Sequence, residues 1–247
     1  DLSHTGHSTS KAPNTDQILW IYITGCVIGW ASPVVADGKV YVGSWDFKVY
    51  ALNATTGARI WSYTIGYGVS CSPAIVDGRV YVGSEDNNVY CLNATTGTRI
   101  WSYTTGSLVR SSSAVTSGRV YVGSDDNNVY CLNASTGLRI WSYPTGWWVR
   151  SSPAIADGKV YVGSHDNNIY CLNASTGARI WSYTAASCVD SSPAIADGRV
   201  YVGSYDGNVY CLNASTGARV WNYTTGGYVN SSPAIADGKV YVGSEDG

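Results

Sequence analysis

Methionine is absent from this 247-residue sequence, phenylalanine occurs once, and only 13% of the residues are charged. The 15 basic and 17 acidic side chains give a net charge of −2, which excludes a nucleic-acid protein held by bulk positive charge. No apolar run approaches the roughly 18 residues that a membrane helix needs, so we expect no membrane span. Good helix formers other than alanine are scarce, whereas Tyr, Trp, Gly and Val are abundant. This composition indicates an all-β protein.

The sequence is built from a repeated unit. Tryptophan recurs at a fixed interval of 40 residues, at Trp61, Trp101, Trp141, Trp181 and Trp221. The segment VYVGS recurs at the same interval, starting at Val40, Val80, Val120, Val160, Val200 and Val240. Trp20 lies one residue out of register. Nearly identical units fill the chain, so we predict a single domain over residues 1–247.

Each unit contains four short strand patterns. In the unit that begins at Ser192 they are Ser192–Ala196, Arg199–Gly203, Asn208–Leu212 and Arg219–Tyr223, which we call strands A, B, C and D. The Asp-Gly pair between strands A and B is a strong hairpin signal. Four strands repeated about every 40 residues are typical of β-propeller blades. The sequence therefore predicts an all-β, six-bladed β-propeller of four-stranded antiparallel blades.

The two ends of the sequence complement each other. Gly247 corresponds to Gly207 of the preceding unit, so the last unit, residues 231–247, contains only strands A and B. Counted back from Trp20, residues 7–22 correspond to strands C and D. We predict that residues 7–22 complete the blade begun by residues 231–247, so that the last blade is shared between the N-terminal and C-terminal strands. Strand C would then be the poor strand sequence Ser8–Lys11, and closure should be weakest there.

The repeat resembles a known family. Its pattern VYVGS-x-D-(G/N)-N-VY-x-LN-A-(S/T)-TG-x-RIW-x-Y is similar to the pyrroloquinoline-quinone-type propeller repeat. That repeat occurs in quinoprotein alcohol dehydrogenases, in outer-membrane assembly lipoproteins of the BamB kind, and in archaeal and bacterial surface proteins. The opening residues Asp1–Gly6 resemble the corresponding "HTG" segment of such proteins, most closely archaeal cell-surface ones. The resemblance implies the propeller fold but no particular activity.

The sequence departs from the quinoproteins where their chemistry would lie. As a family, those enzymes use eight blades, two adjacent cysteines against the quinone, and a calcium held by Glu, Asn and Asp. Here there are six units and no two adjacent cysteines, and His4, His7 and His165 are isolated. We therefore predict a protein that is not an enzyme and has no cofactor. A quinone-dependent oxidoreductase remains an alternative without support from individual residues.

One acidic column is invariant: Asp46, Asp86, Asp126, Asp166, Asp206 and Asp246. A ring of metal ligands is one interpretation. The other is a turn in which each carboxylate accepts backbone N–H groups. We favour the turn and predict no metal site, because one carboxylate per blade supplies too few ligands for calcium.

The variable columns lie in the turns between strands B and C and in the connections between strands D and A, which should emerge on one face. The candidate ligand-binding residues there are Trp30, Trp45, Glu85, Arg110, Asp125, Trp147, Trp148, Arg150, His165, Asp190, Tyr205, Tyr228 and Asn230. Exposed aromatic side chains mixed with Arg, Asp and Asn suit recognition of a glycan or a protein. The alternative is that these positions have drifted where change is harmless.

The opposite face carries repeated N-glycosylation sequons. The candidates are Asn53, Asn93, Asn133, Asn173 and Asn213 in the turns between strands C and D, together with Asn222 and Asn230. They would be used only in an exported protein. The alternative is ordinary hairpin chemistry, because asparagine followed by a turn that ends in glycine needs no sugar.

The seven cysteines fall into two groups. Four occupy one strand C column, where the first unit has alanine, and we expect these to be free core thiols: Cys91, Cys131, Cys171 and Cys211. The other three, Cys26, Cys71 and Cys188, should lie near the variable face, where one disulfide is possible but its pairing stays open. The sequons, the low charge and the family resemblance favour an extracellular or cell-surface location.

Three functions remain open at this point. The first is a non-enzymatic cell-surface scaffold whose variable face binds a glycan or a protein. The second is a structural subunit that assembles by strand complementation, in which residues 7–22 complete the open blade of a neighbouring molecule. The third is the quinone-dependent oxidoreductase.

Overall fold

The structure, a computed structural model, describes residues 16–246. These residues fall into two compact units, residues 16–113 and residues 114–246. The prediction of a single domain over residues 1–247 stays a prediction. No helix that could cross a membrane occurs among residues 16–246.

The first unit contains two complete blades. Their strands are β1 (Val34–Ala36), β2 (Lys39–Ser44), β3 (Lys48–Asn53), β4 (Arg59–Thr64), β5 (Ala74–Val76), β6 (Arg79–Gly83), β7 (Asn88–Asn93) and β8 (Arg99–Thr104).

The second unit contains three complete blades and a two-stranded sheet. The strands of the complete blades are β9 (Ala114–Thr116), β10 (Arg119–Gly123), β11 (Asn128–Asn133), β12 (Arg139–Pro144), β13 (Ala154–Ala156), β14 (Lys159–Gly163), β15 (Asn168–Asn173), β16 (Arg179–Thr184), β17 (Ala194–Ala196), β18 (Arg199–Gly203), β19 (Asn208–Asn213) and β20 (Arg219–Thr224). The two-stranded sheet consists of β21 (Ala234–Ala236) and β22 (Lys239–Tyr241).

Each complete sheet is an antiparallel meander in which sequential strands are neighbours. In the fifth blade, Val200 of β18 lies opposite Leu212 of β19, and Cys211 lies opposite Trp221 of β20. A bulge between Cys211 and Leu212 shifts the register of the last pair. The predicted all-β class and the four antiparallel strands in each complete 40-residue repeat are confirmed.

The turn between strands A and B has the geometry that its sequence predicts. Asp197 and Gly198 both have positive φ, 49° and 69°. Two consecutive residues with positive φ form the type I′ turn, whose twist matches that of the paired strands. Asp-Gly is among the sequences that adopt this turn at low cost, which explains why the pair recurs.

Neighbouring blades are joined through tryptophan. The indole N–H of Trp181 donates to the carbonyl of Ala214 at 3.1 Å, and the Tyr161 hydroxyl donates to the same carbonyl at 3.0 Å. The tyrosine and tryptophan rings lie against each other, with centroids 5.8 Å apart. Gly217 of the same turn lies against the Trp181 ring, where any added Cβ would come within 2.7 Å of ring carbons. The glycine is therefore needed for the rings to pack.

A serine at the start of strand A makes a second repeated contact between blades. The backbone N–H of Ser152 donates to Oγ of Ser192 at 2.9 Å, and the N–H of Ser192 donates to Oγ of Ser232 at 3.1 Å. The same bond joins Ser32 to Ser72 in the first unit, at 2.8 Å. In each case the donor lies in the earlier blade.

The invariant aspartates have the turn role. The Oδ2 atom of Asp206 accepts the Ala186 N–H at 2.9 Å and the Tyr210 hydroxyl at 2.6 Å, and its Oδ1 accepts the Asn208 N–H at 2.9 Å. Burial alone would raise the pKa of this carboxyl, but the hydrogen bonds from Tyr210, Asn208 and Ala186 outweigh it and lower the pKa below its ordinary value. Asp206 thus fixes its own turn and holds the preceding blade.

The described part of the predicted terminal strands is only partly as expected. Trp20 takes the place of a strand D tryptophan, since its indole N–H donates to the Ala54 carbonyl at 3.0 Å. However, residues 16–22 form no strand, because no described residue pairs with their backbone. The prediction of a strand D that ends at Tyr22 stays a prediction. Residues 7–15 lie outside the described residues, so the completion of the last blade by residues 7–22 stays a prediction.

Candidate functional site

The loops with variable sequence are held together by backbone hydrogen bonds. After β14, the His165 N–H donates to the Trp148 carbonyl at 2.9 Å, and the Val189 N–H donates to the Ser164 carbonyl at 3.1 Å. The turn between strands B and C therefore lies between the connection that precedes its blade and the connection that follows it. This confirms that the two sets of variable loops share one face within each unit.

In the first unit, the predicted site residues Glu85 and Arg110 form an ion pair. Arg110 Nε lies 3.1 Å from Glu85 Oε1, and the Ser70 hydroxyl donates to the same carboxylate oxygen at 2.5 Å. The Glu85 side chain is only 4% exposed. Its charge is therefore directed to Arg110 and Ser70 rather than to solvent.

In the second unit, Asp125 and Arg150 form the equivalent pair. Arg150 Nε and Nη2 each donate to one oxygen of Asp125 at 3.2 Å, which makes the pair bidentate. The guanidinium also lies over the Trp148 ring, 4.2 Å from its centroid. The ion pair thus supports one of the candidate aromatic residues.

The next blade has a different pair at the same positions. His165 Nε2 and Asp190 Oδ1 lie 2.5 Å apart, although not in hydrogen-bond geometry, and both atoms are buried. The Tyr205 hydroxyl donates to Asp190 Oδ2 at 3.4 Å. Burial and the nearby Asp190 charge raise the pKa of Tyr205 above its ordinary value. In the last sheet, Asn230 Nδ2 donates to Glu245 Oε1 at 2.8 Å.

These contacts follow a fixed spacing that sequence reasoning missed. A residue of the turn between strands B and C pairs with the residue 25 positions later, as in Glu85 with Arg110, or with the residue 15 positions earlier, as in Glu245 with Asn230. Opposite charges 25 residues apart, as in Glu85 with Arg110 and Asp125 with Arg150, were the available signal. The residues of these pairs are therefore complementary in charge or in hydrogen bonding.

Five aromatic side chains in the second unit form a continuous series, which we call the aromatic arc: Trp147, Trp148, His165, Tyr205 and Tyr228. Successive ring centroids lie 5.9, 5.4, 6.4 and 5.3 Å apart. Its two ends are open to solvent, with Trp147 54% exposed and Tyr228 53% exposed. All five were predicted as site residues, and the structure brings them together from four loops of the second unit.

The first unit has its own aromatic residues. Trp30 is exposed, whereas the Trp45 ring packs against Gly68, and its buried Nε1 has no hydrogen-bond partner within residues 16–246. Phe47 and Tyr67 stack at 5.2 Å and are both exposed. Sequence reasoning missed this stacked pair, because the position of Phe47 holds Asn or Gly in the later 40-residue repeats.

The sequon asparagines between strands C and D have a structural role. The Asn173 Oδ1 accepts the backbone N–H groups of Ser175 and Thr176 at 2.9 and 3.0 Å. The four other turns of this type repeat the pattern. Hairpin chemistry therefore accounts for these asparagines, and their glycosylation, like that of Asn222 and Asn230, stays a prediction.

All seven cysteines are unpaired. The four in strand C are buried, as predicted for core thiols: Cys91, Cys131, Cys171 and Cys211. Burial raises the pKa of the Cys71 thiol to about 12, and its sulfur accepts the Gly83 N–H at 3.2 Å. Within residues 16–246, no three His, Cys, Asp or Glu side chains are close enough to hold a metal ion.

The repeat and its geometry agree with one protein family over nearly the whole chain. The sequence pattern of the family described as outer membrane protein assembly factor BamB matches residues 6–116, 105–194 and 168–247. The chain belongs to this family. The membership confirms the resemblance to the quinone-type propeller repeat. No curated protein matches the sequence.

Solved structures confirm that this BamB-family chain has the β-propeller fold. BamB from Moraxella catarrhalis is similar with a TM-score of 0.83 and 22% identity, over 94% of this chain and 75% of that one. The computationally designed Ika8 protein matches with a TM-score of 0.80 and 20% identity, over 88% of this chain and 68% of that one. The quinohemoprotein alcohol dehydrogenase ADHIIG from Pseudomonas putida HK5 matches with a TM-score of 0.69 and 21% identity. The match covers 78% of this chain and 41% of that one. At these identities the likeness concerns the fold alone.

Proposed function

We propose that this BamB-family propeller is a non-enzymatic extracellular or cell-surface scaffold that binds a glycan or a protein through its variable loops. The observation that carries the proposal is the aromatic arc. Its exposed ends lie on loops that are fixed by backbone hydrogen bonds to the blades. Exposed aromatic side chains on a rigid framework lose little conformational entropy on binding.

The paired charges support recognition by ring surfaces rather than by net charge. Asp125 is directed to Arg150, and His165 faces Asp190, so neither acid is free to attract a cation. What these loops offer a ligand is the exposed ring of Trp147 and the partly exposed ring of Trp148. Sugar rings stack on such surfaces, and so do proline and aromatic side chains of a protein.

A binding role fits these residues better than a catalytic one. General acid–base catalysis needs a titratable group within reach of a substrate. The described candidates, Glu85, Asp125 and His165, lie against their partners and have largely buried side chains. The quinone-dependent alternative has only the fold-level likeness to the alcohol dehydrogenase in its favour.

The test replaces the two exposed ends of the aromatic arc. Trp147→Ala with Tyr228→Ala should abolish binding to a glycan array and to immobilised surface extracts of the source cells. The matched control is Tyr67→Ala, which removes an equally exposed ring from a loop of the same type in the first unit. Unchanged binding in the double variant would rule out the arc as the site. Binding to purified sugars separates a glycan ligand from a protein ligand.

A second candidate function is assembly by strand complementation between subunits. The observation that favours it is the last sheet, where β22 has a neighbour on one side only among the described residues. Leu19, Ile21 and Ile23 are also strongly exposed on the segment that follows the predicted strand C. Light scattering at several protein concentrations tests this function. A ladder of multiples would support it, and a single species near the 26.3 kDa chain mass would contradict it.

A further inference from the structure

One ion pair of the variable loops has a histidine as its basic partner. The basic partner of Glu85 and of Asp125 is an arginine, and a guanidinium does not lose its proton in proteins. In the blade that follows Asp125, the basic partner is His165, which faces Asp190. Histidine is the side chain that ordinarily changes charge between about pH 5 and pH 8. Of these three ion pairs, it is therefore the one whose charge responds to pH near neutrality.

The two facing atoms of this pair need a proton between them. His165 Nε2 and Asp190 Oδ1 lie 2.5 Å apart, are buried, and have no hydrogen-bond partner within residues 16–246. A bare nitrogen this close to a carboxylate oxygen is repelled by it, and buried polar atoms without partners are costly. A neutral imidazole holds one proton on either nitrogen, whereas the protonated ring always has one on Nε2. Protonation of His165 therefore supplies what the contact lacks.

The neighbouring loops do not satisfy Asp190 in another way. The charged and titratable groups on those loops are Asp125, Arg150, Asp166, Cys188, Tyr205 and Glu245. Three of these acids have donors of their own, which are Arg150 for Asp125 at 3.2 Å, Tyr170 for Asp166 at 2.7 Å, and Asn230 for Glu245 at 2.8 Å. For Asp190 the structure shows only the Tyr205 hydroxyl, at the long distance of 3.4 Å from Oδ2. The second oxygen of Asp190 thus depends on His165.

His165 is also the middle ring of the aromatic arc. Its centroid lies 5.4 Å from that of Trp148 and 6.4 Å from that of Tyr205. Tyr205 contacts Asp190 as well, so the acid, the imidazole and the phenol form one cluster. A rotation of the His165 ring therefore changes the support of the rings on both sides.

One proton separates two arrangements of this cluster. With His165 protonated, Nε2 donates to Asp190 in a charge-assisted hydrogen bond, which is about twice as strong as a neutral one. The ring is then held between Trp148 and Tyr205. With His165 neutral, the ring loses that bond and turns to relieve its contact with the carboxylate, and its neighbours lose support.

We propose that protonation of His165 orders the aromatic arc and strengthens ligand binding at its exposed ends, so that the site binds more tightly in mildly acidic than in mildly alkaline surroundings. The inference rests on the proposed function and identifies the regulation of that site. Rings that are already ordered lose less conformational entropy when a ligand binds. The ligand in turn favours the protonated form, because the coupling between two binding events is reciprocal.

The first measurement is the tryptophan fluorescence of the full chain between about pH 5 and pH 8, without ligand. We expect one step in the unmodified protein, because the proton changes the surroundings of Trp148. The step should disappear in His165→Gln, since glutamine has no charge to gain. It should lose at least about half of its amplitude in Asp190→Asn and in Trp148→Phe.

Matched controls cover the other groups that a change of pH affects. His4→Gln and His7→Gln remove the two other histidines of the sequence, and Cys188→Ser removes the thiol on the loop of Asp190. All three variants should keep the step. Circular dichroism checks that each variant is folded.

The second measurement is binding to the glycan array and to the immobilised surface extracts at about pH 5.5 and pH 8. Binding should be stronger at the lower pH by at least about fivefold, the lower end of the usual coupling between two sites. His165→Gln should bind equally at both pH values, at the weaker level. His165→Arg places a permanent charge opposite Asp190, so it should bind equally at both pH values, at the stronger level.

The outcomes separate this inference from the proposed function. A fluorescence step that is missing from the unmodified protein, or that persists in His165→Gln, would overturn the inference. Binding that is equal at both pH values, but is lost in Trp147→Ala with Tyr228→Ala, would overturn the inference and leave the proposed function standing. Absence of binding at both pH values would contradict the two together.

Discussion

Arg150 donates two hydrogen bonds to Asp125 at 3.2 Å, from a position 25 residues later in the chain. The side chain of Asp125 is 5% exposed and that of Arg150 is 26% exposed, so the pair is shielded from water on the acidic side. The same guanidinium lies over Trp148. One contact thus fixes both a charge pair and the base of the aromatic arc.

The two residues should therefore be energetically coupled. Asp125→Ala and Arg150→Ala each leave one partner without its ion pair, and the double variant leaves neither. A double-mutant cycle on urea unfolding should give a coupling energy of about 1–2 kcal/mol. Additive single effects would contradict the pairing. The fluorescence of Trp148 should change in both single variants.

The indole hydrogen bond between blades predicts a contrast between two tryptophans. Trp181→Phe keeps an aromatic ring but removes the donor to Ala214, so it should lower the free energy of unfolding by about 1 kcal/mol. The matched variant Trp221→Phe should change it by no more than about 0.5 kcal/mol, since this side chain is 38% exposed, against 8% for Trp181. Urea unfolding of both variants checks the contrast, and equal losses would contradict it.

Two glycines with similar φ should respond differently to alanine. Gly177 and Gly158 have φ of 74° and 70°, but an added Cβ meets the Trp141 ring at Gly177 and nothing within 4 Å at Gly158. Gly158→Ala should cost about 1–2 kcal/mol for the left-handed backbone alone. Gly177→Ala should cost about 1–3 kcal/mol more, because the ring must shift. Thermal or urea unfolding that ranks them equally would contradict the packing of this turn.

The stability should decline at both ends of the pH range. Hydrogen bonds lower the folded-state pKa of Asp46 and Asp206, so the stability they confer is present above the unfolded pKa of about 4 and is lost as the pH falls below it. Burial raises the pKa of Cys91 to about 11 and that of Cys131 to about 12. Their contribution is complete below the unfolded pKa of about 8.5 and is lost as the pH rises through the folded values.

Urea unfolding at a series of pH values checks both limbs. Cys91→Ala, which copies Ala51 of the preceding 40-residue repeat, should reduce the loss of stability between about pH 9 and 11. Asp206→Asn should reduce the loss in acid. A profile that stays flat to pH 11 would contradict the buried thiols.

Local patterns predicted most of the fold. The Asp197-Gly198 turn, the alternation in Arg199–Gly203 and the interval between tryptophans are properties of neighbouring residues, and the structure follows them. The candidate loops were also found, because each repeat serves as a reference against which variable positions stand out. The partnership of Glu85 with Arg110 was not predicted, since it depends on side chains that meet only after the loops fold together.

Residues 16–22 show what the spacing of tryptophans did not predict. The position of Trp20 was predicted from its spacing, and it docks on Ala54 as its counterparts do. The strand expected around it is not formed by residues 16–22. A strand depends on the hydrogen bonds of a neighbour as well as on its own sequence, and the predicted neighbour, Ser8–Lys11, lies outside the described residues.

The repeated serine, tryptophan and glycine contacts between blades give each blade two chemically different sides. The Ser152 N–H, the Trp181 indole N–H and the Gly146 N–H all donate to the following blade, which supplies the acceptor oxygen. Two blades that met through their donor sides would place these N–H groups against one another without an acceptor. The three contacts therefore favour packing of the donor side of one blade on the acceptor side of the next.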